Sequence, residues 1–366
     1  MWDAIVEELL ADKLPELAGK PSLLHPAIAA LSDAYNRGTA RPPRDPASLA
    51  ARLAFFLRAD LPKAGVCVAE CRAAGIAWRS PLRVLDAGAG LGAAGLGAVA
   101  ELRAGGHEGP IHVVSLDDDA AALELGHALY KRAAAAGLAP LTHEPRLWSA
   151  TDAASSLGAG PYDLVVASAL LCELGRPPDA LAARLLGALA PDGVLVIIEP
   201  ALRTTSRALL GLRDRMVATG GVTIVAPCTR SGPCPALTDE RDWCHEDRPF
   251  TPSPGLARLS SAMGLRRGGL TFSYLTLRRH GPALGETSGL ARPERVVSEP
   301  LVTKGKLELW LCGPDGRHRV TRLKRDKSEA NEPLGTARRG DLVSIDGLSE
   351  AGRIGPETSV ERLRPV

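Results

Sequence analysis

The sequence predicts an α/β protein with a Rossmann-like, mostly parallel sheet, and two features of the chain indicate this class. Between residues 82 and 200, short apolar runs alternate with segments of helical periodicity, the pattern of a parallel sheet with covering helices. The first apolar run ends in Asp86 and leads into the glycine-rich stretch Gly88-Ala-Gly-Leu-Gly92. A glycine-rich turn between a strand and a helix is typical of nucleotide-binding α/β folds.

Length and composition bound the class of protein. At 366 residues the chain is long enough for two domains and a large hydrophobic core. No apolar run approaches the roughly 20 residues that a membrane-spanning helix needs, so we expect no membrane partner. Acids at Asp3, Glu7 and Glu8 argue against a signal or transit peptide. Seven cysteines give no regular disulfide framework, so we expect a reduced, cytoplasmic protein that is monomeric when free.

The chain is predicted to divide into regions of different character. The boundaries that we predict are 1–80 for a helical N-terminal region, 81–225 together with 255–280 for the α/β domain, 226–254 for a cysteine-rich loop and 281–366 for a β-rich basic module. Within the first region, Ser48–Glu70 reads as one helix or as two helices broken near Pro62. Cys67 and Cys71 share one face of this segment, and we expect them in the core.

The strands of the α/β domain bring polar side chains to one edge of the predicted sheet. We predict strands at Leu82–Asp86, at His112–Leu116, at a third segment ending within Leu147–Asp152, at Tyr162–Ala167 and at Gly193–Ile198. Asp117 follows the second strand and Ser168 the fourth. Since the carboxyl ends of parallel strands form the ligand edge of an open α/β sheet, both side chains are predicted to face a ligand. Asp119 is predicted to cap the helix that follows.

The turn after the first strand is the candidate nucleotide site. Glycine tolerates positive φ and lets a ligand approach bare backbone, and free N–H groups at a helix start favour electron-rich groups. The spacing G-x-G-x-G departs from the G-x-G-x-x-G of dinucleotide-binding folds, and the preceding aspartate resembles the first motif of S-adenosylmethionine (SAM) methyltransferases. A dinucleotide ligand and a purely structural turn are the alternatives. The predicted cofactor-binding residues are Asp86, Gly88, Gly90, Gly92, Asp117 and Ser168.

The sequence assigns no catalytic residue. Methyl transfer from a sulfonium needs alignment of the reactants more than a strong base. The run Ala167-Ser-Ala-Leu170 lacks the Asn/Asp-Pro-Pro-aromatic signature of exocyclic-amine methyltransferases. Cys172 lies in the region of a pyrimidine C5 nucleophile, but its position one turn into a predicted helix favours a core thiol. An enzyme and a non-catalytic protein of the same fold are therefore both open.

A second candidate site is a cysteine cluster in the carboxy-terminal half. Cys228, Cys234 and Cys244 follow the spacing C-x5-C-x9-C, and neighbouring prolines fix the loop. Because a tetrahedral site needs a fourth ligand, we predict Cys312, which ends a strand-like run before a turn. Zinc and a [4Fe–4S] cluster both accept four thiolates. The missing C-x2-C knuckle favours the iron–sulfur cluster; zinc and unligated core cysteines are the alternatives.

The tail is predicted to be β-rich and to contact phosphate. Strand-like runs occur at Thr271–Leu277, Leu301–Cys312, Arg319–Leu323 and Asp341–Ile345, and Pro314-Asp-Gly316 is a turn signal. Residues 201–366 carry 27 basic and 19 acidic side chains, which suits a phosphate-rich partner, although an ordinary solvated surface is the alternative. The residues predicted to contact phosphate are Arg317, Arg319, Arg322, Lys324, Arg325, Lys327, Arg338 and Arg339.

Together these stretches resemble the methyltransferase-like assembly factors of the mitochondrial small ribosomal subunit and their bacterial relatives. The matching residues are Val84–Gly92, Asp163–Leu174, Val194–Pro200, Cys228, Cys234-Pro235, Trp243-Cys-His245, Phe272–Leu275, Cys312–Gly316 and Lys324–Asp341. The resemblance implies a class I SAM-methyltransferase fold, a four-cysteine [4Fe–4S] cluster and a role with small-subunit ribosomal RNA in ribosome assembly or translation. The chain departs from the family at Ala201, where glycine is expected, and at Glu246, where an aromatic residue is expected.

Overall fold

The N-terminal region is helical, as the sequence predicts. The computed structural model describes residues 1–37, 43–175, 177–265 and 268–364. Its first helices are α1 (Trp2–Lys13), α2 (Pro21–Arg37), α3 (Pro46–Ala51) and α4 (Leu57–Ala73), and a π-helical turn at Arg52–Phe56 joins α3 to α4. Among the described helices, no segment is both long and apolar enough to cross a bilayer.

Helix α4 passes through Pro62 without a break, which decides between the two alternatives for this segment. It packs closely on the next helix, since a Cβ at Gly97 would lie 1.9 Å from the Leu61 carbonyl oxygen. This tertiary contact holds the chain helical where proline alone disfavours a helix. Cys67 and Cys71 are fully buried on α4, as predicted.

The central domain is a mixed sheet with helices on both faces. Its elements are β1 (Leu82–Ala87), α5 (Ala93–Ala104), β2 (Ile111–Asp117), α6 (Ala120–Ala133), β3 (Leu141–Leu147), β4 (Tyr162–Ser168), α7 (Asp179–Gly187), β5 (Leu189–Glu199), α8 (Arg203–Ala218), β6 (Thr223–Ala226), β7 (Glu246–Pro249), α9 (Pro254–Ala262) and β8 (Gly269–Arg278). The predicted strands are present; the third ends at Leu147, because the chain leaves the sheet at Trp148.

The strand order identifies the fold. The strands run β3-β2-β1-β4-β5-β8-β6, and β7 pairs with β8. Strands β1 to β5 are parallel, whereas β8 is antiparallel to both β5 and β6. The order reverses between β1 and β4, which makes the carboxyl ends of these strands the place where such sheets bind ligands. This arrangement is the class I SAM-methyltransferase fold that the sequence predicts.

A second sheet follows the first and has a hydrophobic core of its own. Its strands are β9 (Glu294–Val296), β10 (Leu301–Val302), β11 (Lys306–Gly313), β12 (Gly316–Leu323), β13 (Leu342–Asp346), β14 (Arg353–Ile354) and β15 (Ser359–Leu363); the short helix α10 (Leu284–Thr287) precedes them and packs Leu284 into the core of the central domain. The predicted single run Leu301–Cys312 is two strands, because the chain reverses at residues 303–305 so that β10 pairs antiparallel with β11. The predicted turn at Pro314-Asp-Gly316 joins β11 to β12.

A buried ion network ties the N-terminal helices to both sheets. The fully buried carboxylate of Glu70 on α4 accepts hydrogen bonds from Arg248 of β7 at 2.7 Å and from Arg295 of β9 at 2.9 Å. Its second oxygen accepts one from the hydroxyl of Tyr274 on β8 at 2.6 Å. Glu246, where the chain departs from the family, pairs with Arg248. The carboxylates of Glu70 and Glu246 and the guanidinium groups of Arg248 and Arg295 thus form ion pairs in the interior.

Candidate functional site

The turn after β1 has the backbone that its glycines predict. Gly88, Gly90 and Gly92 have φ of +70°, +52° and +84°, a region that other residues avoid. A Cβ at Gly88 would lie 2.7 Å from Cδ1 of Leu170, and one at Gly90 would lie 2.9 Å from a terminal nitrogen of Arg52. The turn therefore needs glycine for both its conformation and its close contacts.

Asp117 and Asp119 lie at and just after the end of β2 and make different contacts. Asp119 caps α6 by accepting a hydrogen bond from the Ala122 amide at 3.1 Å, which confirms the predicted cap. Asp117 lies at the end of β2, beside the glycine turn, and accepts hydrogen bonds from the amides of Gly90 at 2.7 Å and Asp119 at 2.9 Å. Burial raises its pKa. Contact between Asp117 and a ligand stays a prediction.

Asp86 lies beneath the turn. It is 1% exposed, and its Oδ2 accepts a hydrogen bond from the Gly95 amide in the first turn of α5 at 2.9 Å. Burial raises its pKa to about 7. The side chain of Tyr130 lies against the same place, since a Cβ at Gly95 would meet both groups. This placement lets Asp86 shape the turn and the helix start, whereas direct ligand contact by this residue stays a prediction.

Two arginines that sequence reasoning missed lie at the same edge. Arg52, on the π-helical turn, donates a hydrogen bond to Asp119 at 2.7 Å. Arg44 pairs with Asp118. Single π-helical turns occur frequently at functional sites. No local pattern could have found these arginines, because their partners lie more than 60 residues away along the chain.

The carboxyl ends of β4 and β5 form the other wall of this edge. Ser168 ends β4 and is half-buried, and Ala169 follows with a φ of +53°, unusual for a residue other than glycine. The buried carboxylate of Glu199 accepts hydrogen bonds from the amides of Leu171 at 2.9 Å and Cys172 at 3.2 Å. Burial, and then the Glu199 carboxylate, raise the pKa of the Cys172 thiol. These contacts disfavour Cys172 as a nucleophile.

We expect the stability effect of Glu199→Gln to depend on pH. Burial raises the pKa of Glu199 to about 7 from 4.5, so the folded protein keeps a proton that the unfolded chain loses between these values. The penalty for ionising the folded carboxyl grows as pH rises through this window, and glutamine removes it. The free energy of unfolding of the variant, measured in urea, should rise by about 2 to 3 kcal/mol relative to that of the wild type between about pH 5 and about pH 8.

The half-exposed Glu144 supplies the control for that experiment. A hydrogen bond from Arg146 lowers the pKa of Glu144. The free energy of unfolding of Glu144→Gln should therefore not rise relative to that of the wild type as pH rises. A Glu199→Gln effect that is equal at both pH values would show that this carboxyl ionises as freely as in the unfolded chain.

The cysteines predicted as ligands face one cavity. Cys228, Cys234 and Cys244 from the loop and Cys312 from β11 all line a cavity of about 60 Å³. Burial raises the pKa of Cys234 to about 11 and that of Cys312 to about 12. In the part of the chain that the structure describes, no group of His, Cys, Asp or Glu is placed to hold a metal ion. The thiols thus share a cavity but do not converge as single-ion ligands must.

The same cavity has basic walls that sequence reasoning missed. The basic residues that line it are Arg213, Arg230, His245, Arg295, Arg317 and Arg339. Arg317 and Arg339 belong to the stretch predicted to contact phosphate; their side chains are half-buried, at 19% and 13% exposure, and their contact with phosphate stays a prediction. The buried Arg322 also faces inward, where it donates to the carbonyl oxygen of Asn331 at 2.7 Å. Only the folded chain shows which cations of that stretch are exposed.

Solved structures of several methyltransferases are similar to this chain. A TehB-like SAM-dependent methyltransferase from Corynebacterium glutamicum is 15% identical, with a TM-score of 0.33 over 58% of this chain and 88% of that chain. The plantazolicin methyltransferase BpumL, in complex with SAH, is 12% identical, with a TM-score of 0.37 over 74% and 99%. A candidate class I SAM-dependent methyltransferase from Listeria monocytogenes is 12% identical, with a TM-score of 0.41 over 76% and 88%.

A family assignment comes from the sequence itself. No curated protein matches the chain at a significant level. The family described as mitochondrial small ribosomal subunit Rsm22, in contrast, matches residues 68–343. The matched region includes the glycine turn, both sheets in large part and all the cysteines that line the cavity. The resemblance predicted from these stretches is thereby confirmed, and the chain belongs to the Rsm22 family.

Proposed function

We propose that this protein is a SAM-binding, methyltransferase-like factor that acts on or binds ribosomal RNA of the small subunit during ribosome assembly or translation. The observation that carries the proposal is the glycine turn after β1, which has a positive φ at Gly88, Gly90 and Gly92 and lies beside the Asp117 carboxylate. It stands at the ligand edge of the fold, in a chain of a small-subunit family.

Each predicted site residue has a role in this proposal. Gly88, Gly90 and Gly92 let the methionine and ribose parts of SAM approach the backbone. Asp117 accepts hydrogen bonds from the ribose hydroxyls, and Asp86 holds the turn from below. Ser168 lies at the end of β4, where the sulfonium and the acceptor would meet. SAM supplies the methyl group when bound.

The non-catalytic alternative is favoured by the state of the groups at that edge. Burial and the Glu199 carboxylate raise the pKa of the Cys172 thiol, so it is not poised as a nucleophile, and Glu199 is occupied by the Leu171 and Cys172 amides. Leu170 packs directly on Gly88. Methyl transfer can proceed by alignment of the reactants alone, so a direct assay for methyl transfer must separate the enzyme from the non-catalytic factor.

We propose further that Cys228, Cys234, Cys244 and Cys312 hold a [4Fe–4S] cluster, with zinc as the alternative. The donor set fits, because thiolates are the ligands that both centres prefer. The absence of a C-x2-C spacing, which is common for structural zinc, favours the iron–sulfur cluster over zinc.

The proposed RNA contact uses the exposed cations of the second sheet. Arg319, Lys324, Arg325 and Lys327 remain exposed on β12 and the turn after it. Lys327 pairs with Glu332 on the surface, where such pairs are weak, whereas Arg319 pairs with the buried carboxylate of Glu308. We also propose that the regions of the chain are divided at residues 80, 225, 254 and 280. We propose further that the protein is cytoplasmic and that it is monomeric when free.

Co-sedimentation of the full-length protein with small ribosomal subunits tests the proposed function. We expect Lys324→Glu/Arg325→Glu to bind about tenfold more weakly and to lower the salt slope of binding by about two. Lys20→Glu/Lys131→Glu, an equal charge change on exposed residues elsewhere, should bind like the wild type. Absence of wild-type binding, or equal losses in both variants, would contradict the RNA contact.

The same particles, incubated with the protein and tritiated SAM, show whether the protein is a methyltransferase or a non-catalytic factor. Label in the RNA above a Gly88→Arg background establishes an enzyme. Binding without label establishes the non-catalytic factor.

A further inference from the structure

The wall of the cysteine cavity is strongly cationic. Arg213, Arg230, Arg295, Arg317 and Arg339 line it. Glu246 is the carboxylate among the described lining residues, and it is already paired with Arg248. Arg295 is likewise committed to Glu70. Of the remaining arginines, Arg213, Arg317 and Arg339 pair with Asp214, Asp242 and Glu299, which lie outside the cavity lining, and Arg230 has no ion pair among the described residues.

Several of these cations present unused donors. In the described part of the chain, the buried Nε atoms of Arg213, Arg230 and Arg317 have no hydrogen-bond partner. Buried polar groups in native proteins are almost always hydrogen-bonded, and an exception calls for a specific explanation such as an ion. Donors from the loop and from the second sheet thus gather around one cavity.

Arg230 is the clearest case. Its terminal nitrogens lie 2.7 Å from a Cβ built at Gly232 and 3.5 Å from one built at Gly316, so the side chain reaches from the loop toward the β11–β12 turn. That turn directly follows Cys312. Two other arginines of the cavity wall have partners. Arg213 donates a hydrogen bond to the carbonyl oxygen of Arg230 at 2.6 Å, and Arg317 pairs with Asp242. For Arg230, the described residues include no carboxylate within ion-pair distance.

We propose that Arg230, with Arg213 and Arg317, forms a cationic layer that stabilises the four-thiolate centre and donates N–H groups to its sulfur atoms. This inference rests on the proposed metal centre. Four thiolates around Zn²⁺ or around a [4Fe–4S]²⁺ core carry a net charge of −2 in either case. Burying such a dianion is costly without nearby cations, and the arginines supply them.

Arg213 also supports the loop through hydrogen bonds to the carbonyl oxygens of Arg230 and Gly232, so the effect on the centre is tested at Arg230. Arg230 and its neighbours are positioning residues, because they act on the thiolate ligands and do not bind the metal themselves. Hydrogen bonds to sulfur and nearby charge also set the reduction potential of an iron–sulfur cluster. Removing one positive charge disfavours the added electron, and the potential should fall.

The test uses the full-length protein purified without oxygen, with metal and sulfide measured directly. Metal loss is then followed in excess chelator. We expect Arg230→Gln to lose metal at least about tenfold faster than the wild type, because one charge-assisted donor is gone. Arg230→Lys keeps the charge and should restore most of the wild-type rate. In iron-loaded protein, Arg230→Gln should also lower the midpoint potential.

Arg241→Gln is the matched control, because Arg241 lies in the same loop but is 87% exposed. It should match the wild type in both measurements, since solvent screens its charge. Equal rates for Arg230→Gln and wild type, or equal acceleration by Arg241→Gln, would overturn the cationic layer while leaving the metal centre in place. A wild-type protein free of metal would instead refute the centre itself, so the two failures are distinguishable.

Discussion

Replacing Glu70 with glutamine is expected to lower the free energy of unfolding by about 3 to 5 kcal/mol. The carboxylate is fully buried and accepts hydrogen bonds from Arg248, Arg295 and Tyr274. Glutamine keeps the shape but removes the charge, so Arg295 would remain buried without a carboxylate. Breaking a buried pair by removing one partner leaves an uncompensated charge, which is why the cost far exceeds that of a surface pair.

The measurement is equilibrium unfolding in urea, with hydrogen exchange read out on β9. Asp60→Asn on the same helix is the control, because Asp60 pairs with Lys63 at the surface and should cost less than about 0.5 kcal/mol. We also expect faster exchange in β9 and the segment around Gly340, whose carbonyl accepts a hydrogen bond from Arg295. Equal costs for the two substitutions would mean that Glu70 does not join the two sheets.

Replacing Gly88 with arginine is expected to weaken SAM binding at least about 100-fold, a loss of about 2.7 kcal/mol or more. Gly88 has a φ of +70°, and its Cα faces Leu170 so closely that a Cβ would lie 2.7 Å from Cδ1. A long side chain must therefore distort the turn or occupy the ligand edge. Isothermal titration with SAM measures the effect, and circular dichroism verifies that the variant is folded.

Gly106→Arg separates backbone strain from loss of the site. Gly106 has a φ of +90° in the turn after α5, and a Cβ there would meet no atom within 4 Å. The substitution should cost about 1 to 2 kcal/mol of stability while leaving the SAM affinity unchanged. If Gly88→Arg bound SAM like Gly106→Arg, the glycine turn would be structural and the ligand would have to bind elsewhere.

The sequence was most informative where local chemistry constrains the backbone. The glycine turn, the Asp119 cap and the turn at Pro314-Asp-Gly316 follow from residue types alone and are present in the fold. It was less informative for short strands such as β7, β9 and β14, which have little periodicity of their own. These form because a neighbouring strand already offers unpaired backbone groups.

Charge was the least predictable property. The basic stretch from Arg317 to Arg339 looked uniform as sequence, yet Arg322 is buried, Arg317 and Arg339 line the cysteine cavity, and Lys324 is exposed. Long side chains reach in whichever direction the strand faces, and alternation along β12 sends neighbours to opposite sides. A cluster of positive charge in a sequence therefore does not define a surface.

The sequence by itself determined the α/β class, the positions of the strand ends and the cysteines that meet around one cavity, because periodicity and glycine chemistry are local. Only the tertiary structure decided which charges meet inside. The network of Glu70 with Arg248 and Arg295 joins residues 178 and 225 positions apart, and the arginines around the thiols come from helix α8, from the cysteine-rich loop and from the second sheet with its loops. The energy of a charge depends on its burial and its partners, and both exist only in the folded chain.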